Sequence, residues 1–339
     1  MLKIIYPFLF FVLLAGVCSG ERVAVFLDLS DPAGIHIDGE RIYIVERATI
    51  RIYSSADYMF INVFGKRGEG PGEFRTGQED SVLLNVQPDY LAVNSQGKIV
   101  FFKKDGTYTR EIATPAGRWL RSLGENYVGM QYLYGEDGTR YHVVSLYDAQ
   151  CRKVKEIYRE KAEIQLRLKT IDAVSWTRQI FRIYNEQVFI DGKNKTIHVL
   201  DNKGDKQYDI SLDYEQIKIT GDVKKKYITF YKEEDPFWRT RWERLKDWYR
   251  FPDYFPVIRG FLVADGKIVI QTFKEENEKS EILILDIKGN FLKRAFLPLV
   301  KNSLIFYYSW TIGNGQLYQL VENEDEEWEL HVTKIEQPL

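Results

Sequence analysis

Short runs of alternating apolar and polar residues recur along this chain, separated by tight-turn signals, with a period of roughly 40–50 residues. Alternation with period two marks a half-buried strand. Repetition at the scale of a whole supersecondary unit indicates a propeller or solenoid before any other architecture. In the first unit Ala33-Gly-Ile-His-Ile-Asp-Gly is followed by Arg41-Ile-Tyr-Ile-Val-Glu and Ile50-Arg-Ile-Tyr. A related order returns at Tyr90-Leu-Ala-Val-Asn, Gly97-Lys-Ile-Val-Phe-Phe and Thr107-Tyr-Thr-Arg-Glu-Ile, with Lys104-Asp-Gly as a tight hairpin turn. A third unit runs from about Trp119 to Tyr158, a fourth from Trp176 to Ile210, a fifth from Gly260 to Phe296 and a last from Leu304 to Ile335. Six units of about four strands each predict an all-β fold, a six-bladed β-propeller over residues 21–339. An open ring would expose sheet edges. Val23-Ala-Val-Phe-Leu is therefore predicted to complete the last blade by pairing with residues 328–335.

One stretch breaks the pattern. Residues 222–250 are rich in charge and aromatics and lack strand alternation. Val223, Tyr227, Phe230 and Tyr231 fall at helical spacing, and Asp235-Pro236 supplies a cap and a proline for a first helical turn. Trp238, Trp242, Leu245 and Tyr249 then recur on one face, opposite Arg239, Glu243, Arg244, Lys246 and Asp247. This predicts two helices inserted between the fourth and fifth blades. Trp238, Trp242 and Tyr249 either pack against the propeller, since a tryptophan stripe in water invites aggregation, or form a lid or partner-docking element.

The N-terminus reads as an export signal: Lys3, then an uncharged apolar run from Ile4 to Val17, then small residues up to Gly20. The run is shorter than the roughly 20 apolar residues of a membrane span. Residues 1–20 are assigned to the signal, which sends the rest to the periplasm or the extracellular space. An uncleaved N-terminal anchor is the alternative; Cys18 also raises a lipid anchor, but Val17 stands where a lipoprotein signal has a small residue. Beyond the signal, Cys151 is the one remaining cysteine, so burial and not a disulfide must hold the fold. The net charge of −2 offers no basic field for nucleic acid or anionic lipid. The chain is expected to be a monomer that meets the membrane only through its signal.

Between two strand-like segments lies Phe64-Gly-Lys-Arg-Gly-Glu-Gly-Pro-Gly-Glu-Phe74, too rich in glycine for a helix interior and unsuited to a regular strand. It lacks the Gly-Lys-Ser/Thr ending of a phosphate loop. Phe64 and Phe74 read as anchors, and Gly65, Gly68, Gly70 and Gly72 as hinges with positive φ. The run resembles the G-x-x-G-x-G-P-G-x-F connection between blades of NHL-type β-propellers. Ile42-Tyr-Ile-Val-Glu through Ile50-Arg-Ile-Tyr is similar to the NHL strand pattern, with Glu46 in the usual Asp place. Tyr254-Phe-Pro-Val-Ile-Arg through Val263-Ala-Asp-Gly-Lys-Ile-Val-Ile resembles the stretch that follows a helical insertion in related exported bacterial propellers. The resemblance implies binding or scaffolding for most members, and lactonase or lyase chemistry with an axial metal for some.

The residues themselves carry little chemistry. No Gly-x-Ser-x-Gly elbow is present, and Cys151 has no histidine partner in sequence, although Arg152 and Lys153 beside it could lower its pKa. His36, His142, His198 and His331 fall in different units without metal-ligand spacing. His36 and Asp38 share one face of a predicted innermost strand, so an axial metal is the sharper reading and a structural histidine the commoner one. The acidic run at 322–329 reads as a solvated hairpin turn, with calcium binding as the alternative. No cofactor, metal site or catalytic residue is assigned. The arginines are the constellation of interest: Arg118 and Arg121 open the third unit, Arg178 and Arg182 the fourth, and Arg259 the fifth. Converging on one channel mouth, they would bind a carboxylate, sulfate or phosphate; paired with neighbouring acids, they would be structural. The expected role is a non-catalytic binding or interaction module for a protein or a small anion. The alternative is a lactonase-like or lyase-like enzyme.

Overall fold

A computed structural model describes residues 20–77, 80–115, 119–175, 180–193, 195–234 and 236–335. The expected export signal with Cys18, together with Arg118, Arg178 and Asp235, lies outside the described residues. Six four-stranded antiparallel sheets and one three-stranded sheet are formed. The first sheet consists of Pro32–Ile37, Arg41–Glu46, Thr49–Ser54 and Phe60–Phe64. The second to fifth sheets cover residues 83–113, 119–161, 181–211 and 260–297, each built from strands that follow one another in the chain. The sixth holds Trp310–Gly313, Gln316–Glu322 and Trp328–Lys334, and its outermost strand is Glu21–Phe26 from the other end of the chain. In that pairing Phe26 lies opposite Trp328 and Glu21 opposite Val332. The N-terminal strand thus closes the last sheet as its sequence predicts, over residues 328–332.

Burial explains why the middle strands read as unbroken apolar runs. Residues 42–45, 91–93, 188–190 and 268–270 are all nearly inaccessible, because each middle strand is covered on both faces by neighbouring sheets. Outermost strands alternate or face solvent, as at Phe60, Ile61 and Val63. Apolar clusters sit between successive sheets all the way round. Tyr43 and Val93 share the cluster between the first two, and Phe101 and Tyr127 the next. Val128 and Val188 follow, then Phe189 and Phe261, then Val269 and Leu317. Leu330 and Ile42 join the sixth sheet to the first. This all-β, propeller-like arrangement leaves the first strand of each sheet facing inward.

The glycine-rich run is the connection from the first sheet to the second. Phe64 and Phe74 both pack on Phe102, with ring centroids 4.6 and 5.8 Å away, so its two ends are fixed to the second sheet. Gly65 and Gly72 take positive φ, +80° and +75°, where a side chain would be strained. Gly68 and Gly70 do not, which corrects the expectation of four hinges. A Cβ at Gly68 would collide with the Glu73 carboxylate, which accepts a 2.8 Å hydrogen bond from the Gly70 amide.

The helical insertion is as expected in place and kind. α1 (Gly221–Thr229) starts at a Thr220 cap, a π-turn follows at Phe230–Glu234, and α2 (Pro236–Leu245) comes after it. No sequence pattern announces the three-stranded sheet, where Tyr249–Arg250 runs parallel to Thr170–Asp172. Together with the Tyr231 hydroxyl, which donates a 2.6 Å hydrogen bond to the Ala173 carbonyl, it ties the insertion to the chain before the fourth sheet.

Two stability tests follow from this packing. Phe26→Ala, at a site 4% exposed, should cost about 3–5 kcal/mol in chemical denaturation. Val25→Ala on the outer face of the same strand should stay within about 0.5 kcal/mol. Gly39→Ala, at φ +83° in open space, should cost about 1 kcal/mol, and Gly65→Ala clearly more because the Phe74 ring must also move.

Candidate functional site

The inward-facing first strands of all six sheets enclose a central cavity of ≈ 610 Å³. That falls within the roughly 300–1,000 Å³ of small-molecule sites. Its lining carries Arg121, Arg182, Arg259 and His36 and, among the described residues, no acidic one. An unbalanced set of cations in a confined space is the feature of the fold that least resembles ordinary surface chemistry.

Arg121 and Arg182 lie on the first strands of the third and fourth sheets, which are neighbours. Each guanidinium sits over an aromatic ring, Arg121 5.7 Å from Phe181 and Arg182 5.6 Å from Phe261. Neither forms an ion pair with a carboxylate among the described residues. Burial lowers Arg121 to about 10. Burial first, and then the like charge of Arg121, lowers Arg182 to about 9. Both remain charged at neutral pH. His36, on the first sheet, is pulled down to about 4 by burial and then by the charges of Arg121 and Arg182, so it faces the cavity as a neutral imidazole.

Arg259 reaches the same cavity but is committed elsewhere. It donates to Glu275 at 3.3 Å, to the Tyr307 hydroxyl at 3.2 Å and to the carbonyls of Leu304 and Ile305 at 3.3 and 3.4 Å. Lys301 and Tyr307 bind the same carboxylate at 2.6 and 2.8 Å. Its role is therefore to hold the 304–307 segment against the cavity, and its inclusion among free ligand-binding arginines is corrected. Of the five arginines proposed from sequence, Arg121 and Arg182 are brought together without a counter-ion among the described residues, and Arg118 and Arg178 lie outside them.

Gln271 was missed. It stands on the second strand of the fifth sheet, directly opposite Gly260, and is 3% exposed with Nε2 lacking a hydrogen-bond partner. Because Gly260 has no side chain, the Gln271 carboxamide lines the cavity through the gap, with Oε1 3.8 Å from where a Cβ would be. A glycine inside a strand marks such close approaches, and that was the available signal.

The other candidates resolve into structural roles. Asp38 accepts hydrogen bonds from Tyr43 at 2.7 Å and Lys104 at 2.6 Å, away from the cavity lining, so it does not join His36. One imidazole without a carboxylate does not fit the donor set of an axial divalent cation. Among the described residues no cluster of three or more histidines, cysteines and acids is suited to a metal. Cys151 is buried, and burial followed by the Asp148 charge raises its pKa, so its basic neighbours do not activate it. Asn323 organises the acidic turn by accepting from the amides of Asp325 and Glu327 at 3.0 and 2.9 Å.

Trp238, Trp242 and Tyr249 are only 9, 7 and 6% exposed, inside a cluster with Tyr231, Phe255 and Ile305. Buried rings are not a docking surface, and a partner of this insertion would meet the exposed Phe237 instead. The cluster runs on into the cavity wall: Ile305 belongs to both, and Trp238 lies 6.5 Å from Phe306 of the wall. The insertion is thus a buttress behind one sector of the cavity.

No family model matches this chain, and no curated protein is significantly similar to it. Among solved structures, a member of the DUF4221 family from Bacteroides vulgatus matches with a TM-score of 0.50 and 10% identity, over 93% of this chain and 96% of that one. A luciferin-regenerating enzyme matches with a TM-score of 0.38 and 10% identity, over 90% of this chain and 91% of that one. At such identity the likeness to the DUF4221 structure speaks for the fold alone. Among the described residues no helix is long and apolar enough to cross a membrane.

The depressed His36 pKa has a definite sign. Below its ordinary value of 6.5 the unfolded chain takes up a proton that the folded chain refuses until about pH 4, so stability falls as pH drops through that window. His36→Asn should remove about 2 kcal/mol of the loss, a figure discounted because the cavity admits water. Denaturant titrations of both proteins across this pH range give the comparison.

Proposed function

We propose that this protein is an exported six-bladed β-propeller of NHL-like type that works as a non-catalytic binding module and holds a small anionic ligand in its central cavity. The observation that carries the reading is the cavity lining: arginines from the third, fourth and fifth sheets and aromatic side chains from the fifth and sixth, without an acid or a metal-ligand cage among the described residues. Six four-stranded sheets, with apolar clusters between each neighbouring pair, support the blade number. Export is supported by position. The first described strand begins at Glu21, directly after the expected signal. Fixed strands and a braced wall suit capture better than turnover, since none of the described lining residues is an acid or nucleophile matched to a base.

The purified mature chain, screened by thermal shift against neutral and anionic small molecules, should be stabilised by anions that mass spectrometry recovers unchanged. Consumption of a lactone or ester, dependent on a divalent cation, would overturn the binding reading in favour of a lactonase-like enzyme. Fractionation of cells expressing the full chain should place it outside the cytoplasm with its N-terminus near Glu21.

A further inference from the structure

The cavity has two unlike sectors. On the side of the third and fourth sheets stand Arg121 and Arg182, which lack a carboxylate partner among the described residues. Across the fifth and sixth sheets the wall is aromatic, from Phe261 to Phe306, Tyr307, Tyr308 and Trp310. The buried Gln271 carboxamide, with Nε2 unpartnered, lines the same space.

We propose that Arg121, Arg182 and Gln271 form a built seat for the carboxylate of a small organic acid whose apolar body lies against the aromatic sector. This rests on the binding reading above and names its ligand class. Three physical arguments carry it. Two like charges held together in a confined cavity repel each other, and a bound anion relieves both at once. Guanidinium groups match the planar fork of a carboxylate, and a neighbouring amide N–H adds a third donor. A cavity of ≈ 610 Å³ is far larger than a bare inorganic oxyanion fills, and Phe261, Phe306, Tyr307, Tyr308 and Trp310 add ring surface to its wall. His36, as a neutral imidazole facing both arginines, adds no charge that the ligand must offset.

This arrangement also separates a ligand seat from a structural ion pair. A structural arginine is satisfied before any ligand arrives, as Arg259 is by Glu275. Arg121 and Arg182 are held on rings and left with unused charge, so replacing them removes a repulsion and leaves no orphaned acid behind.

The experiment uses calorimetry and thermal shift on the full mature chain with three probes: 4-phenylbutyrate, its neutral amide 4-phenylbutyramide, and sodium sulfate at matched ionic strength. Phenylbutyrate should bind the native protein at least about tenfold more tightly than either of the others. Arg121→Gln/Arg182→Gln should lose at least about tenfold in phenylbutyrate affinity while melting no lower than the native protein. Arg152→Gln/Arg159→Gln removes the same charge at exposed positions of the third sheet and should bind as the native protein does. Arg182→Lys keeps the charge without the fork and should fall between; it also serves should the double variant fail to fold.

Amide bound as well as the acid, or acid bound equally by the native protein and the Arg182 variants, overturns the seat while leaving the cavity as a neutral-ligand site. Sulfate bound as tightly as phenylbutyrate overturns the apolar body. Absence of phenylbutyrate binding by the native protein at millimolar concentration overturns the proposal as a whole. Turnover of a lactone by a protein that still shows the acid preference would instead remove the non-catalytic reading and leave the seat standing.

Discussion

The pairing of Glu21–Phe26 with Trp328–Lys334 is the contact on which the rest of this fold depends. Each sheet buries its middle strands only if a neighbour stands on either side. A chain of sheets left open would expose two such faces and an unpaired edge. Joining the two ends of the polypeptide in one sheet fixes the first and last sheets as neighbours, and Leu330 can then share a cluster with Ile42. The closure is non-local in the extreme, and loop-closure entropy opposes it. What outweighs that entropy is area: the clusters between sheets are built from large side chains, many of them fully inaccessible.

Closure also creates the cavity and sets its chemistry. First strands converge on a common axis, but their side chains do not fill it, so groups that elsewhere would reach water or a counter-ion are confined together. Arg121 and Arg182 show the consequence in their lowered pKa values, and His36 shows it in its refusal of a proton. Arg259 shows the opposite outcome. Glu275, Tyr307 and two carbonyls surround it, and its charge serves to clamp the segment that forms the aromatic wall. The helical insertion stands behind that same wall through Ile305 and Phe306. Wall, clamp and buttress form one continuous packed unit beside the cavity.

How much of this could be read in the sequence depends on whether the signal is local. Strand alternation, Asp-Gly turns and the Trp238-Trp242-Leu245 stripe are each properties of a few adjacent residues, and the corresponding elements lie where the pattern puts them. The parallel pairing of Ile171 with Tyr249 joins short strands far apart in the chain, and nothing in either stretch announces it. The same distance hid the site. The arginines were visible as residues, but which of them has a counter-ion depends on Glu275 for one and, for the other two, on the lack of an acidic partner among the described residues. Gln271 reads as an ordinary strand residue until Gly260 is placed opposite it.

The sequence by itself determined an all-β architecture of repeated four-stranded units, the strand that completes the last one, and a helical interruption between the fourth and fifth. Those follow from periodicity, turn chemistry and the need to cover apolar faces, which act over a few residues at a time. Only the tertiary structure decided that Arg121 and Arg182 face each other's field without an acidic partner among the described residues, while Arg259 is neutralised. It also turned the tryptophans inward to a cluster and not outward to a partner. Charge balance and burial are sums over everything that surrounds a group in space, and in a closed ring of sheets those surroundings come from every part of the chain.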